Sequence, residues 1–133
     1  MRKERHFPVI AVLIITLLLC FTACSKTADK ADEGTVKEIT LDVVQSDGTS
    51  FHYEAGTQQE FLKGALDEIA ADTDFSYEEK SGMIMKVNDE RADFTIDNAY
   101  WAIFVNDEYG QYGMEEQPVN DGDAFRLEYT PAE

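Results

Sequence analysis

The chain reads as an α+β protein with one helix packed on a mixed sheet, and three observations predict this. Apolar side chains alternate strictly over residues 39–43, 51–55 and 125–129, the period-two pattern of half-buried strands. Between them, residues 61–69 repeat apolar positions at spacings of three and four, which is one face of a helix. Asp47-Gly48, Asn88-Asp89, Asn106-Asp107 and Asn120-Asp121-Gly122-Asp123 punctuate the pattern with residues that tolerate the positive φ of tight turns.

Taken in order, Ile39-Thr40-Leu41-Asp42-Val43 predicts a first strand, Asp47-Gly48 the turn, and Phe51, Tyr53 and Ala55 the inward side of the returning strand. Thr57-Gln58-Gln59-Glu60 has the form of a capping box, in which the Thr hydroxyl and Glu carboxylate satisfy free backbone donors. Phe61, Leu62, Ala65, Leu66 and Ile69 then supply the apolar face of a helix over about residues 58–71. Residues 72–79 are polar and end it, and Met83, Met85 and Val87 predict a short strand turning at Asn88-Asp89. Tyr100-Trp101-Ala102-Ile103-Phe104-Val105 is too apolar for a strand exposed on both faces, and a turn at Asn106-Asp107 follows. After Tyr109, Tyr112 and the turn at residues 120–123, Phe125, Leu127 and Tyr129 alternate in a closing strand. The expected order is β-β-α-β-β-β, a β-grasp-like mixed sheet with one helix across it.

The N-terminus carries an address. Arg2, Lys3 and Arg5 precede a nearly uncharged apolar run over residues 7–21, and Phe21-Thr22-Ala23-Cys24 ends it with small residues and a cysteine. This is the layout of a bacterial lipoprotein signal over residues 1–23, with lipidation expected at Cys24. Leu19 disfavours cleavage before Cys20, whereas Ala23 suits cleavage before Cys24. Two or three acyl chains on Cys24, at roughly 0.8 kcal/mol per buried CH₂, make a stable anchor. The same run read as a retained transmembrane helix is the competing interpretation, since about 17–25 apolar residues can span a bilayer. Residues 24–35 are rich in Lys, Asp, Ala and Ser without apolar periodicity and read as a flexible tether. Residues 36–133 are long enough for one small core. The expected location is the extracytoplasmic face of the cell membrane.

Charge and residue inventory narrow the function. Net charge is −16 for the whole chain and −18 for the 110 residues after position 23. So acidic a domain would be repelled by nucleic acid phosphates and by anionic lipid headgroups. With Cys20 removed and Cys24 acylated, no thiol is left for a disulfide, a thiolate metal site or a nucleophile. His52 is then the single histidine. There is no nucleophile elbow, phosphate loop or Ser–His–Asp arrangement, so an enzyme is not expected.

The stretch YWAIFVNDEYGQYGMEEQPVNDGDAFRLEY resembles transcobalamin-like C-terminal domains, a family of unknown function common in Gram-positive surface lipoproteins. The matching pieces are Tyr100-Trp101 opening a strand, Val105-Asn106-Asp107 at its end, a small-residue hairpin, and Asp121-Gly122-Asp123 before a strand ending in Glu128-Tyr129. Upstream, the hairpin, helix and residue 83–87 strand follow the same plan, so the resemblance spans about residues 36–130. In transcobalamin and intrinsic factor, the related domain closes over cobalamin held mainly by a separate helical barrel. Carried over by position, the resemblance implies ligand contacts at Tyr100 and Trp101 on the strand and at Tyr112, Gly113 and Met114 on the hairpin. This chain departs from the pattern in having no helical barrel, and in carrying Met114-Glu115-Glu116 where relatives tend to small apolar residues and Asp-Tyr. A single such domain offers half of a sandwich, so a transporter or second surface domain would complete the site.

Each candidate has two readings. Trp101 is either a core aromatic or a ligand platform, and Met114 either the edge of the core or a soft contact for a flat macrocycle. Tyr109 and Tyr112 lie near a turn and are expected half-exposed, with Tyr109 a further candidate contact. The first function expected is small-ligand binding, with cobalamin or a related corrinoid as ligand and a link to uptake. The second is a Ca²⁺-type site drawing on the turn acids Asp107, Glu108, Asp121 and Asp123, although no stretch has the twelve-residue EF-hand spacing and its closing Glu. The third is a protein interaction module with no small ligand.

Overall fold

In the computed structural model, which describes residues 34–133, the first alternating segment becomes strand β1 (Lys37–Val44) and the second β2 (Ser50–Thr57). Residues 1–33, including the signal segment, Cys24 and all but the last two residues of the tether, lie outside the described residues. Ile39, Leu41 and Val43 are buried, as alternation requires, and Tyr53 and Thr57 join them from β2. The connecting turn places Gly48 at φ +84°, and the Asp47 carboxylate accepts the Thr49 N–H at 2.8 Å.

Helix α1 (Leu62–Asp72) buries Leu62, Ala65, Leu66 and Ile69, but it begins four residues later than expected and without the capping box. Thr57 is the last residue of β2. Its hydroxyl donates to the Glu68 carboxylate and accepts the Gln59 N–H at 3.1 Å. Phe61 occupies the N-cap with no side-chain cap. The free helix donors go to carbonyls distant in sequence instead, Leu62 N–H to Gln117 O at 2.9 Å and Lys63 N–H to Met114 O at 2.8 Å.

After α1 come β3 (Tyr77–Lys80), β4 (Met83–Val87) and β5 (Glu90–Arg91), which form a three-stranded sheet in that order. Residues 72–79 thus hold more than a polar connection. Phe75 is buried and packs edge-on against Tyr53 at 5.5 Å and stacked with Tyr77 at 5.8 Å. In β4 the inward residues are Ile84 and Val87, while Met83 is exposed. The cause is a bulge: Glu78 pairs with Lys86 and Glu79 with Ile84, leaving Met85 unmatched and offsetting the period-two count.

Strands β6 (Ala99–Val105), β7 (Glu108–Tyr109) and β8 (Ala124–Pro131) complete a five-stranded sheet in the order β2-β1-β8-β6-β7. The sheet is mixed, since β1 and β8 run parallel and every other pair antiparallel. Among the described residues the fold class is therefore α+β with one helix, but with two sheets and three strands beyond the expected set, β3 and the two-residue β5 and β7. Asn88-Asp89 and Asn106-Asp107 both turn through left-handed pairs, with φ of 43° and 69° and of 52° and 65°, the geometry of two-residue hairpins. One core joins α1, the inner sheet face and Phe75, Ile84 and Val87. Among the described residues no helix is long and apolar enough to cross a membrane.

Candidate functional site

The short partner strand β7 shapes the site. It pairs with β6 only at Phe104–Tyr109 and Val105–Glu108. The chain then leaves the sheet through Gly110, whose N–H donates to Ile103 O at 2.7 Å. A side chain at this position would place its Cβ 2.9 Å from the Ile103 carbonyl, so glycine is needed for so close a pass. Residues 110–113 swing out opposite the β3–β4 turn, and a cleft of about 300 Å³ opens between them. Tyr100, Trp101 and Ile103 of β6 line one side, Gly82, Met83 and Ile84 the other, and residues 109–113 the lip. A neighbouring cleft of about 260 Å³ shares residues 109–112 and adds Val105, Asn106, Glu108 and Gln117.

Five of the residues singled out in the sequence meet here. Tyr100, Trp101, Tyr109, Tyr112 and Gly113 all line the first cleft. Tyr109 and Tyr112 are 58% and 52% exposed and, with Met83 at 57%, form an apolar rim open to solvent. Trp101 is chiefly a core residue, 5% exposed. Its indole N–H donates to Glu90 O at 3.3 Å, and its ring packs edge-on against Tyr129 at 5.8 Å. Met114 does not belong to the cleft. It is wholly buried, because the turn at residues 113–117 tucks it under the start of α1, where its carbonyl takes the Lys63 N–H.

Chemically the cleft is neutral. Of 27 Asp and Glu residues in the chain, none lines it, and neither does any Lys, Arg or His. The adjacent Tyr100 hydroxyl, with a lesser contribution from burial, pushes the Tyr109 phenol above its ordinary value. The Tyr109 ring therefore stays uncharged across the neutral range and can donate and accept hydrogen bonds. Sequence reasoning missed the opposite wall. Met83 read as an inward strand residue, and the signal that could have marked the wall is Ser81-Gly82, a turn placed at φ 52° and 80°.

Three of the four turn acids, Asp107, Asp121 and Asp123, are occupied with structural work. Asp107 pairs with Arg126 at 2.9 Å, while Asp121 accepts the Glu38 N–H at 2.8 Å. Asp123 accepts from Asn106 Nδ2 at 2.9 Å and from the Asn120 N–H at 2.8 Å. Glu108 is exposed on β7 beside the second cleft. Among the described residues no group of three His, Cys, Asp or Glu side chains converges as a metal site.

Residues 55–130, which contain every cleft residue, match the family described as Domain of unknown function (DUF4430). The chain belongs to this family. Two solved structures extend the comparison. A protein from Ruminococcus gnavus ATCC 29149 described as a "putative metal binding protein" is similar at 27% identity and a TM-score of 0.62, with 73% of this chain and 99% of that one covered. Haptocorrin in complex with Cbi is similar at 14% identity and a TM-score of 0.64, over 74% of this chain and 26% of haptocorrin. This chain thus spans about a quarter of haptocorrin's length, and that likeness is one of fold. The transcobalamin-like character read from the sequence stands. A search of curated proteins found no match.

Proposed function

We propose that this DUF4430 chain is a membrane-anchored, extracytoplasmic lipoprotein that binds a small ligand in the β6–β7 cleft, and that the ligand is cobalamin or a related corrinoid. The observation that carries the reading is the cleft itself, an uncharged, aromatic-rimmed concavity in a chain of net charge −16. Small-molecule sites are concave and mostly apolar, with a few polar groups. Here Tyr100, Tyr109 and Gln111 are those groups. At about 300 Å³ the cleft lies at the low end of such sites, which run from roughly 300 to 1,000 Å³. It would cover one edge of a flat macrocycle, leaving the rest for a transporter or second surface domain. The β-grasp-like plan belongs to this reading and is supported by the parallel β1–β8 pair at the centre of the sheet. Cys24 supplies the anchor in this reading.

Titration of the purified protein with cobalamin and cobinamide, followed by calorimetry and visible absorbance, tests it. Binding at micromolar or tighter is expected, with at least a tenfold loss in Tyr112→Ala and Met83→Ala, whose side chains are exposed and whose removal leaves the core intact. No heat and no spectral change up to hundreds of micromolar would remove the corrinoid reading. A Ca²⁺ reading draws its support from the description of the R. gnavus relative. It predicts a rise in Tm on adding millimolar Ca²⁺ that EDTA reverses.

A further inference from the structure

The sheet ends on one side in a long bare edge. Strand β2 is an edge strand of eight residues, and among the described residues no strand pairs with its outer side. The bond Gln45 N–H to Thr49 O at 2.9 Å fixes the phase of the β1–β2 ladder. With hydrogen-bonded pairs alternating along an antiparallel ladder, Phe51, Tyr53, Ala55 and Thr57 turn their backbone groups toward β1. Ser50, His52, Glu54 and Gly56 turn theirs outward.

Natural edges are blunted with Lys, Pro, bulges or inward charges. This one has no Lys, no Pro and no register shift against β1. Its two ionisable positions, His52 and Glu54, stand on the sheet face away from α1, with side chains 56% and 82% exposed. The Asp42 carboxylate of β1, 2.6 Å from His52 Nδ1, favours the protonated, positively charged imidazole. His52 and Glu54 are also self-complementary. If two β2 edges run antiparallel about Tyr53, His52 of each lies opposite Glu54 of the other, and Ser50 opposite Gly56. Every outward backbone group then finds a partner, in about eight hydrogen bonds. On the inner face Phe51 of each copy falls opposite Ala55 of the other, large against small, and both are only partly buried in the single chain. Shifting the register by two residues either way sets His52 against His52 or Glu54 against Glu54, which like charge disfavours.

We propose that two copies of this chain pair through β2 in the His52–Glu54 register, forming a continuous ten-stranded sheet with two-fold symmetry. The cleft lies at the opposite edge, beside β6 and β7, and stays open in both copies. Repulsion between two acidic chains opposes the pairing but is screened beyond about 8 Å at physiological salt, whereas the edge contacts are closer than that.

Sedimentation equilibrium on the full chain in mild detergent, over a concentration series at physiological salt, tests the pairing. The wild type is expected to reach twice the chain mass. His52→Glu should raise the dissociation constant at least tenfold by setting Glu opposite Glu, and His52→Glu/Glu54→His should return it to within about threefold of wild type, because the swap restores opposite charges. Unchanged circular dichroism of each variant monomer excludes misfolding as the cause. A wild type that stays monomeric to hundreds of micromolar overturns the proposal, as does equal pairing in all three chains. Loss in the single variant without recovery in the double overturns the register.

Discussion

Met114 and Asp97 show how differently single residues can carry weight in this domain. Met114 is wholly buried beneath the start of α1, so Met114→Ala leaves a cavity and is expected to cost about 2–5 kcal/mol by urea denaturation. Asp97 is held by Arg91 through two contacts of 2.8 Å and by the Asp93 N–H at 2.9 Å. The Arg91 guanidinium first, and the Asp93 N–H second, bring its carboxyl down to about 2. A depressed folded value contributes stability that is present above the unfolded value and lost as pH falls through the folded one. The Tm difference between wild type and Asp97→Asn should therefore be constant above pH 3.8 and disappear as pH falls through about 2. At this scale exposure at Tyr109 and Tyr112 was legible, because both sit between turn residues. The burial of Met114 was not, since adjacent Glu115-Glu116 gives no sign that the turn folds inward.

Among the elements, α1 is where local sequence and structure part. Its apolar face was legible from spacing alone, but the capping box was displaced by tertiary contacts: carbonyls of residues 114 and 117 reach the free donors first. Thr57→Ala should cost about 1–3 kcal/mol, because it strips hydrogen-bond partners from Glu68 and Gln59 at a buried position. Glu60→Ala should change stability by under about 0.5 kcal/mol. A working capping box would make the two losses alike in urea midpoints. Strand β3 was illegible for a related reason. Its residues are exposed but for a half-buried Tyr77, so no alternation marks it, and its backbone pairing with β4 forms it. The bulge at Met85 likewise follows from pairing and hides the true inward set of β4.

For the whole molecule, address and binding can be separated experimentally. Cys24→Ala should move the protein from the membrane fraction to the soluble extracytoplasmic fraction while leaving ligand affinity unchanged, as fractionation and titration of the same variant will show. Retention in the membrane would instead favour the spanning helix. The sequence by itself determined the α+β class, the alternating strands β1, β2 and β8, the apolar face of α1, the tight turns and five of the residues that meet at the cleft. These rest on periodicity and turn chemistry, which act over a few neighbouring residues. Only the tertiary structure decided that residues 82–84 face residues 100–113 across one concavity, that Asp107, Asp121 and Asp123 are spent on hydrogen bonds and an ion pair, and that β2 ends the sheet with its outer backbone groups turned away from β1. Those outcomes depend on pairing and packing between segments far apart in the chain, which no local pattern records.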